Sequence, residues 1–381
     1  MEVTRQNDVS EQRYACEKCG AAVLYKPGST YLHCEYCGHD TPIKLAQGRV
    51  LELDLVHHLS LVHNRFEVDE DASVHCDSCG ATFTVPALED SKECPFCGSR
   101  HVVEGTRDSR IPPNGILPFA IESNFARGKV GEWLGSRFWA PNNLKALALK
   151  EGKLRGVYLP FWTFDSFTIT DYTGLRGTYY YVTVNYTTTE NGRTVTRSRQ
   201  ERRIRWSPAA GRVEVPFDDV LVQATSVIPP QISERLQTWD LPNAVPPQSE
   251  YLVGYQSLRY DMNLEQGLAV GRDRMQPGID QAIRWDIGGD AQQILTKNTQ
   301  YLNNTFKLLQ LPVWVGGYRY RNKPYRFVVN GRTGEVQGEA PVSFWKVFFA
   351  VLLALLIVGA IVYFSEQYKD GSSSIEFSTS Y

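Results

Sequence analysis

Cys16-Glu17-Lys18-Cys19-Gly20 and Cys34-Glu35-Tyr36-Cys37-Gly38 are fourteen residues apart, and the same spacing returns in Cys76-Asp77-Ser78-Cys79-Gly80 and Cys94-Pro95-Phe96-Cys97-Gly98. A C-x-x-C turn brings two sulfurs within reach of one tetrahedral ion. A second turn, across a short β-hairpin, supplies the other pair. The glycine after each pair lets the backbone curl and aim its N–H groups at the thiolate sulfurs. The same module thus occurs twice, offset by sixty residues. It predicts two tandem four-cysteine zinc ribbons, the first in residues 1–48 and the second, behind a linker strand, in residues 49–105.

All eight cysteines lie between Cys16 and Cys97, so none is left for a disulfide framework elsewhere. That is metal usage in a reducing compartment. The N-terminal residues have no apolar core of a secretory signal, and the expectation is that this part of the chain stays inside the cell. A site with four cysteine ligands is coordinatively closed, so the sites are expected to be structural, holding two Zn2+ ions. Iron is served by the same ligands, and Cys94-Pro95-Phe96-Cys97-Gly98 is also a rubredoxin-like turn, which leaves one-electron chemistry as an alternative. His33, His39, His75 and His101 flank sites that already have four sulfurs, and read as surface or packing residues.

Zinc ribbons often bind nucleic acid, and local charge tests this. From Arg13 to Lys44 there are four basic and three acidic residues; from His75 to His101 there are two basic and four acidic. Neither ribbon offers the basic face that phosphate neutralisation requires. Over the whole chain 40 Lys and Arg face 42 Asp and Glu, so no global field favours a polyanion.

Residues 347–364 form eighteen consecutive positions without a charged or strongly polar side chain. As a helix they extend about 27 Å, close to the hydrocarbon thickness of a bilayer. Phe344, Trp345 and Lys346 before the run, and Tyr363 and Phe364 at its end, suit the two interfaces. A transmembrane helix is therefore expected in 343–366, with a short external tail in 367–381. Charge alone orients it weakly N-in, and the thiolates reinforce a cytoplasmic N-terminus.

Between the cysteines and this helix, residues 111–340 alternate aromatic, β-branched segments with turn signals, as in 177–189, 195–206 and 326–329. Asn191-Gly192 and Asn330-Gly331 read as tight hairpin turns. Residues 124–150, interrupted near Pro141, and 291–309 read as helices. The region is assigned as β-rich α+β. Leu159-Pro160-Phe161-Trp162-Thr163 is echoed 152 residues later by Leu311-Pro312-Val313-Trp314-Val315, which suggests related subdomains in 106–235 and 236–342. Trp162 and Trp314 read as core aromatics.

The densest basic stretch holds Arg193, Arg197, Arg199, Arg202, Arg203 and Arg205 against Glu201. It reads as a solvated strand face, or as a contact for anionic headgroups or an acidic partner. No nucleotide-binding loop, metalloprotease, hydrolase or kinase motif is present; Asp218 and Asp219 read as a turn, and no catalytic residue is assigned.

The two C-x-x-C-G modules, followed by Gly156-Val157-Tyr158-Leu159-Pro160-Phe161-Trp162, Leu311-Pro312-Val313-Trp314, Val329-Asn330-Gly331-Arg332-Thr333-Gly334-Glu335-Val336 and one membrane span, form a recognisable order. It resembles the bacterial YdjG-like family of TFIIB-type zinc-ribbon membrane proteins. Members are often labelled primosomal replication factors or helicases, an activity not expected here without a nucleotide loop. The resemblance implies a membrane-bound adaptor that brings PspA-like or SPFH-domain proteins to the cytoplasmic membrane in envelope stress. It transfers no site residue beyond the cysteines.

Overall fold

In the computed structural model the described residues are 14–44, 48–62, 73–76, 82–84, 102–104, 111–144, 146, 154–190, 193–229, 232, 235–236, 238–321 and 323–371. Three long antiparallel strands dominate them: β9 (Arg155–Glu190), β10 (Arg193–Gln223) and β12 (Ala291–Tyr320). β9 pairs with β10 along one edge and with β12 along the other, so over residues 155–177 it is hydrogen-bonded on at least one side and mostly on both. β13 (Lys323–Asn330) and β14 (Val336–Gly338) continue the sheet beyond β12. On the other side β11 (Gln256–Leu258) runs parallel to the start of β9 and leads to β6 (Thr82–Thr84), β5 (Ser73–Cys76) and β7 (Val102–Glu104).

The start of β9 reads as an unbroken apolar run because both of its faces are covered. Tyr158, Trp162 and Phe164 point one way with their β12 partners, Leu308 and Phe306 among them. Val157, Leu159 and Phe161 point the other way, into a core completed by Ile228, Ile232, Leu236 and Trp239. The two echoed segments are direct neighbours here, with Leu159 opposite Leu311. Segments 106–235 and 236–342 therefore contribute adjoining strands to one sheet. Both tryptophans are core residues: Trp162 donates to the Met262 carbonyl at 2.9 Å and Trp314 to the Ile121 carbonyl at 3.1 Å.

Four helices are described: α1 (Leu55–Val62), α2 (Ser123–Gly135), α3 (Leu264–Ile287) and α4 (Phe344–Gly371). α1 replaces part of the expected linker strand, which is reduced to β4 (Leu53–Asp54). The cause is Asp54, whose carboxylate accepts the His57 N–H at 2.7 Å and caps the first turn. α2 confirms the helical reading as far as Gly135; beyond the interruption at Pro141, Leu144 and Ala146 are again helical, and residues 147–150 lie outside the described residues. The helix expected over 291–309 is instead the first two-thirds of β12, where Thr296, Thr299, Tyr301 and Phe306 fit a pleated surface paired with β9.

α3 was hidden by Gly267, Gly271, Pro277 and Gly278, residues that ordinarily break helices. It starts at a capping box, with Asn263 accepting the Gln266 N–H at 2.8 Å and the Gln266 side chain accepting the Asn263 N–H at 3.0 Å. Leu264, Leu268, Met275, Ile279, Ile283 and Ile287 form its buried stripe against the sheet. The glycines let it approach closely: a Cβ on Gly267 would lie 2.6 Å from the Trp162 ring, and one on Gly271 would lie 2.8 Å from Phe164.

The turn after β13 is wider than two residues. Asn330, fully buried, accepts the N–H groups of Arg332 and Thr333 at 2.8 and 3.2 Å and donates to the Thr238 carbonyl at 3.0 Å. The positive φ falls on Gly334 (80°) rather than Gly331. Arg332 reaches across to Asp240, with Nη2 2.5 Å from a carboxylate oxygen, and that hydrogen bond, helped by Asn243, holds the Asp240 carboxyl below its ordinary range. At the other hairpin, Arg193 pairs with Glu190, leaving two residues for the connection; Asn191 and Gly192 themselves lie outside the described residues.

Two outcomes follow from this packing. Gly267→Val is expected to cost about 1–3 kcal/mol by overpacking against Trp162, read as a lowered urea midpoint; an unchanged midpoint would mean that α3 does not sit on Trp162. Asp240 has a depressed folded pKa, so its contribution is present above the unfolded value near ~4 and is lost as pH falls through the folded value. The stability gap between wild type and Arg332→Gln should therefore be full at neutral pH and shrink on acidification. A gap independent of pH between 7 and 2 would sink the assignment.

Candidate metal centre

The first cysteine module is two turns beside a small sheet. β1 (Leu24–Tyr25), β2 (Tyr31–His33) and β3 (Asp40–Pro42) form a three-stranded antiparallel sheet beside two matching turns. In the first, the Gly20 N–H donates to the Cys16 carbonyl at 2.8 Å and the Cys16 N–H donates to the Ala21 carbonyl at 2.7 Å. In the second, Gly38 donates to Cys34 at 2.9 Å and Cys34 donates to His39 at 2.9 Å. Gly20 and Gly38 have φ of 76° and 70°, and a Cβ at either would meet nothing within 4 Å, so it is backbone conformation that selects glycine.

These turns bring Cys16, Cys19, Cys34 and Cys37 together, with all four Sγ atoms within 4.8 Å of one another. The Sγ atoms of Cys16 and Cys37 are 3.6 Å apart, as are those of Cys19 and Cys34. A tetrahedron with metal–sulfur bonds of about 2.3 Å has edges of about 3.8 Å, so the four sulfurs fit a single ion. Cys16 and Cys34 are buried, Cys37 is half-buried and Cys19 is exposed.

Electrostatics point the same way. Burial pushes the Cys16 thiol up, but the N–H groups of Lys18 and Cys19, with the neighbouring thiols, outweigh it and bring Cys16 down to about 6. At Cys19 the Ala21 N–H pulls down, yet burial and the other three thiols push it up to about 12. One thiolate forms readily and its neighbours then resist ionisation. A central cation removes that conflict, and a tetrathiolate requires one. His33 stays outside the cluster, its Nδ1 2.6 Å from Asp40.

The first cysteine module packs directly on the β-body. Tyr25 donates its hydroxyl to the Phe119 carbonyl at 3.0 Å and its N–H to the Val253 carbonyl at 3.1 Å. Its ring meets Tyr251 edge-on at 5.0 Å, and Phe119 stacks on Tyr255 at 4.5 Å. Cys16, Cys34, Val23 and Leu32 thereby share one core with Tyr158, Trp314 and Phe327. Burial raises the Tyr25 and Tyr255 hydroxyls well above their ordinary range.

Of the second module only Cys76, at the end of β5, is among the described residues; Cys79, Cys94 and Cys97 lie outside them. What is described is how this module attaches: β5 pairs with β6 and β7, and β6 joins the main sheet through Ser257 opposite Thr84.

Asp165, Asp218 and Asp219 also converge, and the reading of Asp218 and Asp219 as a turn gives way to a β-bulge between Phe217 and Val220, with Asp219 at φ 51°. Lys307 fills this group, its Nζ 2.7 Å from Asp219, 3.4 Å from Glu52 and 3.6 Å from Asp165. Burial raises the Asp165 carboxyl despite that lysine. A cation of the chain's own thus occupies the cluster.

α4 is long and apolar enough, over Phe344–Val362, to cross a membrane, and none of that stretch is buried. Its first turn is tied to the loop after α2: Lys346 donates to the carbonyls of Phe138 and Ala140 at 2.9 and 2.8 Å, and the Ser343 N–H donates to the Trp139 carbonyl at 2.7 Å. All six arginines of the basic stretch lie on β10.

Fold and site together define a β-rich chain with a four-cysteine cluster capable of holding a metal ion and one apolar C-terminal helix. Over 364 residues, 91% of this chain and 98% of the other, it is 23% identical to the uncharacterized protein YdjG of Bacillus subtilis (strain 168). No protein-family profile matches the chain, and no solved structure matches it.

Cys34→Ser is expected to lower bound metal by one ion per chain in elemental analysis and to expose the Tyr25 cluster to protease. Unchanged metal content would remove Cys34 from the ligand set. Because the ligands must be deprotonated, metal should leave on acidification.

Proposed function

We propose that this chain is a single-pass protein of the bacterial inner membrane whose cytoplasmic zinc ribbons recruit protein partners, of the SPFH-domain or PspA-like kind, acting in envelope stress as an adaptor rather than an enzyme. The observation that carries this reading is the union of a closed four-sulfur site with the aromatic core of the β-body. Four thiolates on one ion leave no position for substrate, so the site's contribution is to stiffen a surface. The fused core fixes that surface relative to the rest of the chain. Zinc suits a tetrathiolate that needs no redox change, and two ions correspond to the two modules. The apolar α4 supplies the anchor. A cytoplasmic N-terminus keeps the thiols on the reducing side.

Distant likeness to YdjG over nearly the full length of both chains agrees with this architecture without adding an activity. The test is affinity purification of the tagged full chain from membranes in mild detergent, with mass spectrometry of what accompanies it. SPFH or PspA-like proteins should appear with wild type and vanish with Cys16→Ser/Cys19→Ser or Cys76→Ser/Cys79→Ser. If nucleic-acid enzymes appear instead, or a coloured iron-loaded protein is obtained, the adaptor reading falls.

A further inference from the structure

β12 begins at Ala291, opposite Gly177, and β9 and β10 continue together past that point. From Arg205 opposite Thr178 to Arg193 opposite Glu190 they pair, among the described residues, only with each other. At ~3.3 Å per residue this two-stranded arm is about 40 Å long. Antiparallel partners share a face, which sorts the arginines. Arg193, Arg197, Arg199, Arg203 and Arg205 lie on one face with Tyr180, Val182, Val184 and Tyr186; Arg202 lies on the other with Tyr179 and Tyr181. Glu190 and Glu201 are the arm's only acidic residues against these six arginines.

The two edges of the arm differ in kind. The β10 edge carries the arginines, the usual guard against unwanted strand pairing. On the β9 edge, residues 178–189 contain no charge and consist of Thr, Tyr, Val and Asn, which suit a strand well. At its root the Tyr179 N–H points outward and is accepted by the carboxylate of Asp290 at 2.7 Å. By the two-residue period of a strand, the N–H groups of Tyr181, Thr183, Asn185, Thr187 and Thr189 point the same way.

The arginines also lean towards that edge. The Arg205 guanidinium sits 5.3 Å from the centre of the Tyr180 ring and Arg199 5.5 Å from Tyr186, while on the opposite face Arg202 is 4.4 Å from Tyr179. All three rings belong to β9, so the guanidiniums of these β10 residues lie against side chains of the neighbouring strand. A strand added to the β9 edge would lie about 4.8 Å from it, within reach of those guanidiniums.

We infer that the arm captures an extended segment of a partner protein by strand addition to the β9 edge, selecting segments with Asp or Glu at alternate positions. Main-chain hydrogen bonds supply the affinity, and the carboxylates on one face meet Arg205 and, by displacing Glu201 (2.6 Å from the Arg199 Nη2), Arg199. This rests on the protein-partner reading above and names the chemistry of the partner.

The probe is a fluorescent synthetic peptide of alternating Glu and Val, titrated by anisotropy against the full chain in detergent, beside a Lys-Val peptide, duplex DNA and phosphatidylglycerol vesicles. Arg199→Glu/Arg205→Glu should weaken Glu-Val binding by at least about tenfold, as loss of close charge pairs does. Thr183→Pro should weaken it comparably, because it deletes an outward N–H and leaves every arginine in place. Circular dichroism and metal content should match wild type in both variants. Glu-Val binding that is absent, or that ignores Thr183→Pro, overturns strand addition. Tighter binding of DNA or vesicles, dependent on the arginines but not on Thr183, would make the arm a general polyanion surface and overturn the inference as well. Peptide capture that persists when ribbon variants lose no co-purifying protein would refute the ribbon-docking adaptor and leave the arm's role standing.

Discussion

The pairing of β9 with β12 is the constraint on which the other elements depend. It begins at Arg155 opposite Val315 and runs to Gly177 opposite Ala291, through two register shifts. Because β9 also bonds β10, its buried portion is an interior strand whose backbone polar groups are satisfied sideways, and both of its faces are left to be covered. Each cover is a different piece of the chain. α3 lies over Trp162 and Phe164, the segment around Ile228 to Trp239 lies over Leu159 and Phe161, and the first ribbon with α2 lies over Tyr158 and Trp314. Glycine appears where the cover comes closest: a Cβ on Gly156 would run into the Tyr255 ring.

The cysteine cluster adds a second kind of constraint, local and chemical. Its two turns repeat the same pair of backbone hydrogen bonds, so the sulfurs are aimed by the main chain. Only one side of the ribbon, through Tyr25, Val23 and Leu32, needs the β-body. A module this small has little core of its own, and the shared aromatic cluster together with a bound ion compensates for that.

How far residues alone reveal this architecture depends on whether the signal is local. The C-x-x-C-G turns and the apolar run of α4 are read directly because spacing and composition carry the physics by themselves. Strands around 177–189, 195–206 and 326–329 were readable from β-branched and aromatic density. α3 was not, since its glycines look like helix breakers until Trp162 and Phe164 are placed against them. Residues 291–309 misled in the opposite sense: Leu295, Leu302, Phe306 and Leu309 recur at helical spacing, but the hydrogen-bonding edge of β9 decides their conformation, and that edge lies more than a hundred residues away in sequence. The Lys307 cluster was equally hidden, for it is assembled from β9, the bulge of β10, β12 and Glu52.

The arm shows how one strand serves two environments. Up to Phe164 the side chains of β9 are mostly buried, from Asp165 to Gly177 every second one is largely buried, and past Gly177 they suit a ribbon in solvent. Isolated hairpins are marginal in water, so a projection of this length needs support. Its base supplies some, with Gly177 tucked beneath Ile204 and Trp206, a Cβ there being 2.9 Å from either side chain. Along its length tyrosines of β9 lie under arginines of β10, an arrangement that favours the paired strands while keeping the cations outward. A ribbon kept only as a connection between β9 and β10 would be satisfied by a two-residue turn just after Gly177. The thirteen further pairs, charged along β10 and, up to Glu190, uncharged along β9, are the pattern of a surface that excludes strands on one side and admits them on the other.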